Sequence, residues 1–343
     1  MIDRRTLLKS AAALGVLGPT HLWAASNRQS IAAESADDLP PLVGKLSVYL
    51  GRGEGGLYDD IVAAIEKRNP ELELSIRRAP SAALANTLIA EAKAGVSRAD
   101  LFWSIDASSL GAVAAEGVSR PVPEAIRRHI KSDFRYEAWA AISGRLRTVP
   151  YNPTRLDAAA IPDHIMAFAD TDLKIGWAPA YGAFQSFVTA MRVLEGEART
   201  RQWLRGVKTQ ARSYAGELGV VMAVARGEVD LGFANHYYTL RLKQGKPDAN
   251  VDLALTRNDA GSLVNSSGVL LLNDNPLAAN FLRYLLTDEV QSYLAREAYE
   301  IPMAPGVALP QGLPERVQPP SLDLTQLADL KPTLDLLRET RVL

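Results

Sequence analysis

One stretch near the start of the chain decides the fold, and it reads KLSVYL (residues 45–50), GRGEGG (51–56) and LYDDIVAAIEKRNP (57–70). Leu46, Val48 and Leu50 occupy every second position, as in a half-buried strand. A glycine-rich turn follows, and apolar residues then recur at helical spacing until Asn69-Pro70 ends the helix. The stretch therefore predicts one unit of strand, turn and helix.

The same order of elements recurs along the chain. Ala99 to Ser104 is mostly apolar, which is typical of a strand buried on both faces. Strands that alternate with helices in this way predict a parallel sheet with helices on both sides. The further predicted strands are residues 72–76, 175–178 and 229–234, and the further predicted helices are residues 84–92, 184–195 and 218–226.

Length and composition predict two domains. The 343 residues exceed one typical domain, and the 47% apolar content is enough for two cores. Two extended stretches, Leu146 to Asn152 and Gly268 to Leu272, are predicted to cross between the domains. The predicted division is a signal peptide (1–25), a flexible tether (26–44), an amino-lobe (45–147 and 266–343) and a carboxy-lobe (148–265).

Two helices with clear start signals are predicted in the returning part of the amino-lobe. Asn275 is expected to cap a helix from Pro276 to Leu286. Thr287 is expected to cap a helix from Asp288 to Ala298.

Charge and cysteine content exclude several classes of function. Lys+Arg total 38 and Asp+Glu total 39, so no basic field exists to hold nucleic acid. The absence of cysteine excludes disulfide frameworks, thiolate metal sites and cysteine nucleophiles. We therefore expect a small-molecule partner.

The first 25 residues have the features of an export signal. Arg4-Arg5 precedes Leu7-Leu8, and a short apolar core and a small-residue region at Ala24-Ala25-Ser26 follow. A paired arginine in this context predicts a twin-arginine signal peptide and a location in the periplasm. The apolar part is too short to span a bilayer comfortably.

The turn Gly51-Arg52-Gly53-Glu54-Gly55-Gly56 allows a second interpretation. It satisfies the pattern G-x-G-x-x-G between a strand and a helix, and the second strand ends in Arg77-Arg78, the position of a partner for a 2′-phosphate. An exported NADP-linked oxidoreductase is the alternative from another functional class. The same turn is also a general anion or ligand site in any open α/β sheet.

Candidate metal ligands occur at the end of a predicted strand, in the sequence Asn235-His236-Tyr237-Tyr238. Adjacent tyrosines most often separate, one in the core and one at the surface. If both phenols instead converge on a cleft, their oxygens are hard ligands for a cation such as Fe³⁺. His129, His164 and His236 are scattered, and no nucleophile elbow or catalytic triad is present, so we expect no enzyme activity.

From about Lys45 to Val307 the chain resembles the ferric-iron-binding branch of the extracellular solute-binding proteins. The similar stretches occur in the family's order and are residues 49–54 (YLGRGE), 99–104 (ADLFWS) with Asp106, 143–147 (SGRLR) with Tyr151-Asn152, 176–179 (GWAP), 182–189, 213–216 (SYAG), 225–230 (ARGEVD), 235–238 (NHYY) and 263–265 (LVN).

This resemblance implies a two-lobed periplasmic-binding-protein fold of type II, with two strands crossing at the hinge. It implies a periplasmic subunit of an ABC importer, a monomer that passes its ligand to a membrane permease and its ATPase. The tyrosine pair would supply two phenolates to Fe³⁺, and Tyr181 occupies the place of a third. Binding of a phosphonate, a polyamine or a ferric chelate is the alternative within this class.

The chain departs from the family pattern in its amino-lobe. The first turn lacks the histidine of some members, and the third strand is followed by Ser104-Ile105-Asp106 rather than by glutamate. The amino-lobe is therefore expected to supply Glu54, Asp106, an anion or water held by Arg52, or nothing. Arg145 and Arg147 either hold an anion such as carbonate or pair with surface acids, and Asn235 is a further candidate contact.

Overall fold

The computed structural model describes residues 31–51, 56–314 and 317–343. Its strands are β1 (44–51), β2 (72–79), β3 (101–104), β4 (140–151), β5 (175–177), β6 (211–213), β7 (231–232), β8 (234–235), β9 (252–254), β10 (264–271) and β11 (301–302). Its helices are α1 (57–68), α2 (81–93), α3 (107–114), α4 (124–127), α5 (182–195), α6 (197–208), α7 (217–225), α8 (236–245), α9 (276–285), α10 (288–297) and α11 (331–339).

The strands form two parallel blocks joined through the long strand β4. The order is β2-β1-β3-β10-β4-β7-β5-β6, and β8, β9 and β11 also pair with β4. β1 is parallel to β2 and β3, and β5 is parallel to β6 and β7. The predicted parallel α/β units are therefore present in both lobes, while β10 runs antiparallel to β3 and β4.

The chain passes between the lobes along β4, where the first crossing was predicted. Residues up to Leu146 pair with β10, and residues from Arg147 onward pair with β8 and β9. The second crossing lies earlier than predicted. Gly268 to Leu271 pairs with β3 inside the first-lobe sheet, which the chain has already entered at Val264.

The two predicted helix starts near residue 280 differ in their caps. The Asn275 side chain accepts a hydrogen bond from the Leu277 backbone N–H at 3.0 Å, as predicted. Thr287 stands at the N-cap of α10, but its hydroxyl donates to the carbonyl of Tyr284 at 2.8 Å. Thr287 therefore occupies the predicted N-cap position, but its side chain makes no capping hydrogen bond.

The described part of the predicted tether, residues 31–44, is packed on the first lobe. Leu42 is fully buried, and its backbone N–H donates to Asn69 Oδ1 at 2.8 Å. Ser35 donates to Glu289 at 2.6 Å, and Arg283 pairs with Glu34 at 2.9 Å. The prediction of a flexible tether is wrong for these residues, because Pro40-Pro41 leads directly into a buried leucine.

The C-terminal segment (317–343) contacts both lobes. Gly111 of α3 lies so close to it that an added Cβ would meet the Cβ of Ala328 at 2.9 Å. Further on, Thr333 hydrogen-bonds Thr189 of α5 at 2.8 Å, and Glu339 accepts from Arg201 of α6 at 2.9 Å. Assigning this last helix to the amino-lobe was therefore wrong, since its partners are helices of the second lobe.

An aromatic cluster lies in the core of the second lobe. The rings of Trp177, Phe184, Phe187, Trp203 and Phe233 contact one another, and all are almost fully buried. Burying each such side chain is worth about 1.5–3 kcal/mol, so the cluster fixes α5 against β5.

Within the described ranges, no helix is long and apolar enough to cross a bilayer.

Candidate functional site

Two helix starts in the second lobe bring the three predicted tyrosines together. Tyr181 is the N-cap residue of α5, which follows β5. Tyr237 and Tyr238 lie in the first turn of α8, which follows β8 without a break. Helix starts at strand ends are the usual place for ligand binding in open α/β sheets.

The phenol groups are close enough to act as one site. The hydroxyl oxygens of Tyr181 and Tyr238 are 2.8 Å apart, a hydrogen-bond distance. The ring of Tyr237 lies 4.4 Å from that of Tyr238 with an interplanar angle of 41°. Tyr237 and Tyr238 are only 5% and 7% exposed. The interpretation with one tyrosine at the surface is therefore wrong.

Two arginines lie near Tyr237, one member of this tyrosine cluster (Tyr181, Tyr237 and Tyr238). The guanidinium of Arg241 lies 4.9 Å from the centre of the Tyr237 ring. Arg145 also interacts electrostatically with Tyr237.

Arg145 is occupied by a buried network on the first-lobe side. It pairs with Glu300 at 2.8 Å and donates to the hydroxyl of Tyr58 at 2.9 Å. Ser143 donates to the other oxygen of Glu300, and Arg145 also donates to the carbonyl of Ile105. Burial and the charge of Glu300 raise the pKa of Tyr58 to about 12. Glu300 is buried, so Arg145 does not pair with a surface acid, which was one of the two predicted alternatives. The sequence analysis did not single out Tyr58 or Glu300.

Arg147 is paired on one side only. Its Nη1 donates to Glu217, which also accepts the backbone N–H of Asn235 at 2.8 Å. Arg147 is 3% exposed and Glu217 is fully buried, so this pair too involves no surface acid. Nε and Nη2 of Arg147 have no hydrogen-bond partner in the described part of the chain. The guanidinium also lies 4.8 Å from the centre of the Phe187 ring.

The remaining predicted contacts have different positions. Asp106 caps α3 by accepting from the Ser109 N–H at 2.7 Å, and burial raises the pKa of its carboxyl. The side chains of Asp106 and Asn235 both line the cavity described below. Arg52 and Glu54 lie outside the described residues.

A cavity of about 700 Å³ joins these residues. Its lining from the first lobe includes Tyr58, Asp106, Arg145 and Glu300, and its lining from the second lobe includes Arg147, Tyr181, Asn235 and Tyr237. Among the residues that the structure describes, no three His, Cys, Asp or Glu side chains gather as a metal site.

Comparisons with known proteins identify the family and the fold. The model of the family "Bacterial extracellular solute-binding protein" matches residues 46–300. The chain belongs to this family. The predicted resemblance is confirmed, and the fold is the two-lobed periplasmic-binding-protein fold of type II.

Similar proteins cover nearly the whole chain. The major ferric iron-binding protein of Neisseria meningitidis is 28% identical over 82% of this chain and 88% of its own length. The Fe(3+)-binding periplasmic protein of Serratia marcescens is 28% identical over 95% of this chain and 98% of its own length. Iron-bound HitA from Pseudomonas aeruginosa superposes with a TM-score of 0.76 at 26% identity, covering 88% of this chain and 99% of HitA. These are binding proteins, which weighs against the oxidoreductase alternative for this solute-binding protein.

His236 of this solute-binding protein is a buried support for the tyrosine pair. Its Nδ1 accepts from the Leu146 backbone N–H at 3.1 Å, and its Nε2 lies 2.6 Å from the carbonyl of Tyr299. The two contacts define a neutral ring with the proton on Nε2. Burial lowers the pKa of His236 to about 4. Because both ring nitrogens are engaged in these contacts, the ring acts as a structural link.

We expect His236 to make stability depend on pH. Its folded pKa lies below the ordinary value of 6.5, so its contribution is fully present above pH 6.5 and is lost as pH falls toward 4. In that window the slope approaches about 1.4 kcal/mol per pH unit. Urea unfolding at a series of pH values would measure it. The variant His236→Gln should give a flatter curve, whereas parallel curves would contradict this assignment.

Proposed function

We propose that this protein captures ferric iron in the periplasm and delivers it to the permease and ATPase of an ABC importer. The observation that carries the proposal is the pair of hydroxyls of Tyr181 and Tyr238, 2.8 Å apart, beside Tyr237 on the cavity wall. The named ferric iron-binding relatives support the same ligand.

The chemistry of the cluster favours a trivalent, oxygen-seeking cation. A free phenol has a pKa of about 10, so only a strong Lewis acid ionises it at neutral pH. Fe³⁺ would replace the proton shared by Tyr181 and Tyr238, and three phenolates would balance its charge. Because each ionised phenol releases a proton, binding should weaken as pH falls.

The two arginines have different parts in the proposal. Arg145 already has its acid, Glu300, and holds first-lobe elements together. Arg147 has two unpartnered nitrogens among the described contacts, and it is the proposed contact for an anion such as carbonate. Asn235 and Asp106 line the same cavity and would contact water or the anion after closure. Closure is stabilised only in so far as the closed form binds the ion better than the open form.

The proposal is tested by a visible spectrum and a metal analysis of the purified mature protein. After loading with ferric citrate and removal of excess, it should carry one iron per chain and show a phenolate-to-iron absorption band. The same protein loaded with zinc or manganese should stay colourless. A ferric-loaded sample that is both colourless and free of iron would overturn the proposal.

The leader is outside the described residues, and its role is part of the proposal. Replacing Arg4 and Arg5 together with lysine is expected to leave the precursor in the cytoplasm, because the twin-arginine route reads the paired arginine. Cell fractionation and immunoblotting measure the result. Normal periplasmic accumulation of the double variant would assign the leader to the general secretion route.

A further inference from the structure

The C-terminal segment (317–343) connects the two lobes a third time, in addition to β4 and the return into β10. Its first part, a 3₁₀ turn at Leu324–Ala328, packs mainly on α3 of the first lobe. Its second part, α11, packs on α5 and α6 of the second lobe. Only Asp329 and Leu330 lie between the two parts. Any movement of one lobe relative to the other therefore acts on these two residues.

The first-lobe part is held by close packing. Leu324 and Leu327 are 2% and 0% exposed. Gly111 of α3 leaves no room for a side chain, because an added Cβ would lie 2.9 Å from the Cβ of Ala328 and 3.1 Å from the carbonyl oxygen of Thr325. The turn is thus seated directly on the surface of α3.

The second-lobe part is held by hydrogen bonds as well as by packing. The hydroxyl of Thr333 is 2.8 Å from that of Thr189 on α5. Arg192 of α5 donates to the hydroxyl of Thr333 at 3.0 Å and to the carbonyl of Asp329 at 3.3 Å. Leu337 of α11 is fully buried. The chain from Asp329 onward is therefore fixed to the second lobe.

The connector Asp329-Leu330 has little slack. Asp329 has φ −78° and ψ 67°, and the N–H of Leu330 donates to the carbonyl of Ala328 at 2.9 Å, which is an inverse γ-turn. Two residues reach at most about 7 Å when fully extended. Ala328 and Leu330 line the cavity between the lobes. On the same cavity wall the hydroxyls of Ser108 on α3 and Ser186 on α5 lie 3.4 Å apart, so the connector crosses where the two lobes meet.

We infer that residues 324–339 are a tether that limits how far the lobes can separate. Each end stays on its own lobe, and the connector takes up the movement until it is fully extended. Wider opening requires the turn at residues 324–328 to leave α3. The tether therefore sets the width of the open cleft, and this role does not depend on which ligand the cleft binds.

Lengthening the connector tests the tether directly. Insertion of Gly-Ser-Gly-Ser between Asp329 and Leu330 keeps the residues that contact α3, α5 and α6, and it adds up to about 14 Å of chain. The native sequence has no cysteine, so spin labels attach only at Ala83→Cys on α2 and Ala198→Cys on α6, two exposed positions. Double electron–electron resonance then measures the distance between the lobes in the mature protein after dialysis against a chelator.

The insertion variant should reach label distances on the order of 5 Å or more beyond the longest wild-type distance. The matched control has the same four residues inserted between Pro247 and Asp248, in an exposed turn of the second lobe, and should match wild type. Wild-type distances in the variant lengthened at Asp329-Leu330 would overturn the tether, and so would an equal widening in the control. Because the measurement is made without iron, either result would leave the proposed function standing.

A substitution has the same expected effect without a change in chain length. Gly111→Leu would displace the turn at residues 324–328 from α3, so the label distances should lengthen as they do in the insertion variant. Gly245→Leu makes the same change at the end of α8, where an added Cβ meets nothing within 4 Å, and should match wild type. Leucine has a higher helix propensity than glycine, so neither substitution works against its helix.

Discussion

Tyr181→Phe is expected to weaken ferric-iron binding by on the order of 100-fold or more, above what loss of a supporting contact costs at a metal site. The variant removes the oxygen that lies 2.8 Å from the hydroxyl of Tyr238. The absorption band should also shift, since one of three phenolates is lost. Tyr237→Phe combined with Tyr238→Phe should abolish the band. Competition against citrate would rank the variants under one condition.

Two first-lobe variants are the controls for this ranking. Asp106→Asn keeps an oxygen that can accept from Ser109 at the start of α3, so the helix cap is retained. Asp106→Asn and Glu54→Gln should each cost less than Tyr181→Phe. If Tyr181→Phe instead binds iron like wild type while a first-lobe variant loses it, the third phenolate is not a ligand and the site depends on first-lobe carboxylates.

Glu217→Ala is expected to destabilise the second lobe by about 3–5 kcal/mol, because it leaves Arg147 buried without its counter-ion. Arg147 and Glu217 are 3% and 0% exposed, and Glu217 also accepts the N–H of Asn235, next to the tyrosine pair. Urea unfolding followed by tryptophan fluorescence would measure the loss, since Trp177 and Trp203 lie in this lobe.

The matched control removes both charges together. Glu217→Leu with Arg147→Leu should recover most of the lost stability, because an apolar pair leaves no uncompensated charge. Asp335→Ala breaks the exposed pair with Lys331 and should leave the unfolding curve unchanged. A double variant as unstable as Glu217→Ala would show that packing of the arginine stem, and not its charge, supports this lobe.

Local signals in the sequence were sufficient for the first strands and helices of each lobe, but they did not predict α3, α6, α11, β6 or β9. The alternation at Leu46, Val48 and Leu50 marks β1, and helical spacing up to Asn69 marks α1, because side-chain periodicity reports burial directly. The helix cap at Asn275 was also predictable, because its side chain bonds the backbone N–H of Leu277, only two positions later. The tyrosine pair was predicted from residue type, because phenol oxygens are hard ligands for a cation such as Fe³⁺. Tyr181 was predicted from its place in the family pattern.

The sequence by itself thus determined the two-lobed α/β class, the family and the candidate phenols. Only the tertiary structure decided which side chains meet: the Tyr181 and Tyr238 hydroxyls, Arg145 with Glu300, and Arg147 with Glu217. It also decided that the C-terminal helix packs on the second lobe. The physical reason is that these partners are separated by 57 to 155 positions in the chain, and propensity or periodicity acts only over neighbouring turns.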